Sequence, residues 1–114
     1  MWWQFYGVAQ RRNAKLQARG VATMKWQQVK QRLSEALSAL ALGEDERAAE
    51  LTRRLYAAVR RAQKRGALNY WDAHWLVYDL KQAVNCFRCK ERHNALIWLQ
   101  SANRFVWLTL RGED

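Results

Sequence analysis

Apolar residues recur along this chain at helical spacing, and one stretch shows it cleanly. Ala22, Trp26, Val29, Leu33, Ala36 and Leu40 follow one another in steps of four and three. Such steps keep side chains on one face of an α-helix. The positions between them are mostly Gln, Lys, Arg, Ser and Glu. This predicts an amphipathic helix over 21–42, stopped by Gly43 in the manner of a C-terminal glycine cap. A second helix is predicted over 45–65, with Ala48, Leu51, Leu55, Ala58, Val59 and Ala62 as its core stripe. Its first turn carries acids and its last turn carries Lys64 and Arg65, which suits the helix dipole, and Gly66 follows as a stop. The connection between the two is very short, so they are expected to pack antiparallel.

Asn69 is placed to cap a third helix over 70–85, with Asp72 three residues later in a capping-box-like position. A fourth is predicted over 91–110, ahead of Gly112. Residues 1–20 place Trp2, Phe5, Tyr6 and Ala9 on one side of a helix, but Gly7 and Gly20 interrupt it. That segment reads as an arm or short helix. Strand-like alternation is absent, strong helix formers dominate, and there is no proline. The expected fold is therefore all-α: one domain over 1–114, an antiparallel bundle of four main helices with an aromatic N-terminal arm or short helix. A chain of this size buries roughly two-thirds of its unfolded surface, enough for one modest core.

The third helix has more apolar surface than one core face needs. Ala73, Leu76, Val77, Leu80 and Val84 form an aliphatic face, and Trp71, Trp75 and Tyr78 form a second stripe nearly opposite. A helix of this kind is either central, with both faces buried in the monomer, or shared with a partner. The fourth helix leans the same way. Ala95, Trp98, Leu99, Ala102, Phe105 and Val106 make its core face, while Ile97, Trp107 and Leu108 fall outside it. Composition sharpens the point, because seven Trp, four Tyr and three Phe are hard to bury in 114 residues. Trp, Tyr and Arg are the side chains that carry energy at protein interfaces. The expected partner surface is the aromatic side of the third and fourth helices, Trp71, Trp75, Tyr78 and Trp107, or the seam of the first helix at Trp26. Two-fold dimers are the commonest oligomers, so a homodimer is the first expectation and a hetero-complex the second.

Charge adds another surface. Twenty Lys and Arg against ten Asp and Glu give a formal charge of +10, which attracts acidic partners in general. The excess is uneven: residues 1–34 and 53–65 carry no acid at all. On the second helix Arg53, Arg60 and Lys64 lie within about 20° of one line opposite the core face, over ~17 Å of helix. Arg54, Arg61 and Arg65 flank them. Such a stripe could track the phosphates of nucleic acid, or simply face water with Glu50 paired to Arg54. No helix-turn-helix is evident.

Candidate chemistry is sparse. Cys86, Cys89 and His93 would share a face if one helix ran through them, and His74 would complete four ligands of a tetrahedral zinc site. The pattern holds one C-x2-C and no second pair, and free cysteines usually pack as small hydrophobes. Neither a metal nor a cofactor is expected. Two cysteines make no disulfide framework, which suits a reducing, cytoplasmic setting. The aromatic N-terminus is too short an apolar stretch for a signal peptide, and no run approaches the roughly 18 apolar residues of a membrane span. No membrane partner is expected.

Two resemblances bear on function. Arg88 and His93 stand as R-x4-H, which is similar to the R-x4-6-H ribonuclease signature of the HEPN family of helical bundles. That resemblance implies a dimer whose paired Arg and His act on the 2′-hydroxyl and the scissile phosphate. The polar residue usual after the Arg is here Cys89. In size and architecture, residues 21–110 resemble the small helical antiactivators that bacteria use to sequester quorum-sensing transcription factors. That resemblance implies a protein that occludes a surface its target needs. No paired carboxylates, Ser-His-Asp set or phosphate loop is visible. The favoured expectation is a non-catalytic regulator that binds another protein, such as a transcription factor. The alternatives are nucleic-acid binding through Arg53, Arg60, Arg61 and Lys64, and a HEPN-like ribonuclease using Arg88 and His93.

Overall fold

The computed structural model describes residues 24–113, so the expected N-terminal arm lies outside the described residues. Among the described residues there are four helices: α1 (Trp26–Ala41), α2 (Asp45–Arg65), α3 (Tyr70–Arg88) and α4 (Arg92–Glu113). Among the described residues there is no strand. The helices form a closed ring, α1 on α2, α2 on α3, α3 on α4 and α4 back on α1. Each helix therefore has two packed flanks and one side turned outward.

The core is built from the residues whose spacing announced it. Trp26, Val29, Leu33, Ala36 and Leu40 of α1 are buried, as are Ala48, Leu55, Val59 and Ala62 of α2. α3 contributes Ala73, Leu76 and Leu80, and α4 contributes Ala95, Leu99, Ala102 and Val106. Six expected core residues, Leu51, Ala58, Val77, Val84, Trp98 and Phe105, are only half-buried. Thr52 takes a fully buried place instead, and its hydroxyl donates to the Ala48 carbonyl at 2.7 Å. A buried hydroxyl bonded within its own helix leaves no unmet polar group.

The three turns share one construction. After α1, the Glu44 N–H reaches back to the Ala39 carbonyl with Gly43 at φ +78°. After α2, the Ala67 N–H reaches the Ala62 carbonyl with Gly66 at φ +74°. After α3, the Glu91 N–H reaches the Cys86 carbonyl, and the left-handed residue is Lys90 at φ +58°. These are Schellman endings, in which a left-handed residue lets the chain turn back and satisfy the last free carbonyls. α3 begins as its sequence announces: the Asn69 side chain accepts from the Trp71 and Asp72 N–H groups.

Side chains then tie the ends of the ring. Arg92, first residue of α4, donates to the Leu40 carbonyl at the end of α1 and to Asp45 at the start of α2. At the other end of the same pair, Trp26 packs edge-on to Phe105 with ring centres 6.3 Å apart. Gly112 does not stop α4, which continues to Glu113.

Candidate functional site

The outward side of α3 holds a stripe of exposed aromatic residues. Trp71 is 60% exposed, Trp75 58% and Tyr78 49%. The helix is therefore not buried on both faces within the described residues. The rings are organised rather than scattered. Tyr70 meets Trp71 edge-on at 5.4 Å and stacks with His74 at 6.4 Å. His74 lies edge-on to both Trp71 and Trp75. Tyr78 passes the surface on to α4 through an edge contact with Trp98 at 5.8 Å.

Two residues expected on this surface belong elsewhere. Trp26 is 7% exposed and part of the core, so it presents no ring to a partner. Trp107 is half-exposed but lies on the α1 side of α4, with the Lys30 ammonium 4.6 Å from its ring centre. Trp98 and Trp107 are nine residues apart, which on a helix places them on opposite sides. Trp107 therefore does not extend the α3 surface.

A second feature borders the aromatic surface. The basic residues of α2 fall into two rows. Ala49 and Arg53 line a shallow groove with Val84, Phe87 and Arg88 of α3, whereas Leu51 and Arg54 line one with Arg32 and Glu35 of α1. Extending each by helical position puts Arg53, Arg60 and Lys64 along the α3 edge and Arg54, Arg61 and Arg65 along the α1 edge. Glu50 neutralises the upper end of both rows, bonding Arg53 and Arg54. Those two guanidiniums hold the Glu50 carboxyl below its ordinary range. Arg60 donates only to the Tyr56 hydroxyl. Among the described residues, Arg61, Lys64 and Arg65 make no ion pair. The free cations thus sit at the end of α2 that leads directly into the aromatic start of α3, where Gln63 donates to the Tyr70 carbonyl.

On its other flank the aromatic surface meets a carboxylate. Asp79 faces α4 and accepts from the Ser101 hydroxyl at 3.0 Å. Partial burial between the helices raises its pKa, and the Ser101 bond offsets part of that.

The remaining candidates are not assembled. Cys86, Cys89 and His93 do not share a helix face, because α3 ends at Arg88 and the chain turns through Lys90 before α4 begins. His74 is twelve residues from Cys86 on α3, about 18 Å along the axis. Among the described residues no three His, Cys, Asp or Glu side chains are grouped to hold a metal. Burial, helped by Glu91 and Cys89, pushes the Cys86 thiol up, which disfavours the thiolate a metal or a nucleophile requires. Arg88 and His93 fall on different helices across the same turn. Arg88 lines the α2–α3 groove.

No protein-family model, curated protein or solved structure matches the chain. No helix among the described residues is long and apolar enough to cross a membrane.

Proposed function

We propose that this chain is a non-catalytic regulatory protein that binds another protein through the outward side of α3 and occludes a surface its target needs. The observation that carries the reading is the stripe of exposed rings Trp71, Trp75 and Tyr78, with Tyr70 and His74 packed among the first two, on a helix whose aliphatic face is already buried. Water-exposed aromatic patches of this kind mark interaction sites, and buried Trp and Tyr dominate the energy of an interface. A transcription regulator as the target follows from the architectural resemblance alone. Pairing of two copies through the same face is the homodimer form of the reading.

The test is capture of binding proteins by the tagged chain from its native lysate after nuclease treatment, compared with Trp75→Ala. The ring is largely exposed, so the variant's unfolding free energy should stay within about 0.5 kcal/mol of the original. Its affinity for the captured protein should fall by about 2 kcal/mol or more, roughly 30-fold. Equal capture by both proteins would remove the α3 face from the account.

Nucleic-acid binding along α2 is the second reading, favoured by the cations of its last turns that have no acidic partner. It predicts that material recovered from the lysate is nucleic acid, lost steeply as salt is raised.

A further inference from the structure

Three bands of different chemistry run side by side across the α2–α3–α4 surface. Along α2 lies the cationic edge of Arg60 and Lys64, neither of which pairs with an acid among the described residues. Along α3 lies the aromatic band. Beyond it, toward α4, lies Asp79. The bands do not mix. From Tyr70 to Leu80 the α3 sequence contains no Lys or Arg and two carboxylates, Asp72 and Asp79. Platforms that stack the bases of a single strand combine their rings with a cationic groove that follows the phosphates. Here the nearest carboxylates, Asp72 and Asp79, border the rings on the side toward α4, and the next cations, Lys81 on α3 and Arg60 and Lys64 on α2, lie on the side toward α2. The pattern suits a ligand that is apolar along one line and acidic only along the line facing α2.

We infer that the occupant of the α3 face is an amphipathic acidic segment of a partner protein. Its apolar side chains cover Trp71, Trp75 and Tyr78, and its Asp or Glu residues lie along Arg60 and Lys64. This rests on the reading of α3 as a protein-binding face and adds the partner's chemistry to it. Helices laid on a hydrophobic surface present anchors at i, i+3 or i+4 and i+7, and α3 spaces its own rings in the same steps at Trp71, Trp75 and Tyr78. Rim charges then set orientation and select against the wrong sign.

The experiment is selection of a random 16-residue peptide library on the immobilised full chain, with the selected pool then measured on Arg60→Glu/Lys64→Glu, on Trp75→Ala and against single-stranded oligothymidine. Both cations are exposed, so the double variant should keep its far-ultraviolet circular dichroism and unfolding midpoint. The expected pool is enriched in Asp and Glu beside Leu, Phe or Trp. It should lose about tenfold or more in affinity on the charge-reversed protein, and reselection on that protein should enrich Lys and Arg instead. A pool that needs Trp75 but carries no acidic excess, or binds the reversed protein equally well, overturns the inference while leaving the α3 face as a binding site. A pool indifferent to Trp75 overturns both. No enrichment, or oligothymidine binding that Trp75→Ala abolishes, also counts against an acidic segment.

Discussion

Asp79 shows how much a single position depends on its neighbours. Nothing in the sequence marks it, since Tyr-Asp-Leu on a helix surface reads as solvated. Packing of α3 on α4 half-buries it, and burial raises its pKa despite the Ser101 bond. A carboxyl that binds its proton more tightly when folded contributes most below its unfolded pKa. That contribution is lost as pH rises through the raised folded value. Asp79→Asn removes the titration, so its stability relative to the parent should be constant in acid and improve as pH climbs through the carboxylate range. Urea midpoints of both proteins across that range check the sign. Other residues divide the same way. Periodicity places a side chain on a face of its own helix, which is why Trp71, Trp75 and Tyr78 were legible as a stripe. It does not say which neighbour that face meets. Trp26 therefore reads as a surface candidate and is core, and Trp107 reads as part of the α3 surface and lies on the α1 side. Thr52 escaped because its hydroxyl is satisfied by its own helix, a bond that composition does not reveal.

At the scale of elements, punctuation decides what the sequence discloses. The bounds of α2 fall where its glycine, acids and cations place them, and Gly43 and Gly66 both adopt the left-handed turn that favours glycine. The third turn is built alike but without glycine, with Lys90 in the left-handed region. Lacking that signal, the third helix reads as ending at 85, three residues short of its end at Arg88, and the turn through Lys90 removes the single helix that the metal candidate would need. Gly112 carries the signal without a stop, lying within the last turn of α4. The energetic consequence is direct. A side chain with a Cβ costs about 1 kcal/mol in the left-handed region, so Lys90→Gly should raise the unfolding free energy by about that amount. Chemical denaturation measures it, and a loss of stability would mean that the Lys90 side chain makes a contribution this turn does not explain.

At the scale of the molecule, the ring of four helices turns one side of each outward, and those sides differ in chemistry. α3 presents aromatics and α2 presents cations, while the Trp107 region of α4 is covered in part by Lys30. The bundle itself was legible because four amphipathic stripes separated by short turns have few ways to close. The adjacency of cationic and aromatic bands was not, because it arises only when α2 and α3 pack. The central claim is that a protein lands on α3. Hydroxyl-radical footprinting of the chain, alone and in its captured complex, tests it ring by ring. Trp26 is shielded in both states and serves as the internal reference. The account predicts that Trp71, Trp75 and Tyr78 lose reactivity in the complex while Trp107 keeps its own. Unchanged reactivity at Trp71 and Trp75, with protection confined to Trp107 or another side of the bundle, would contradict it.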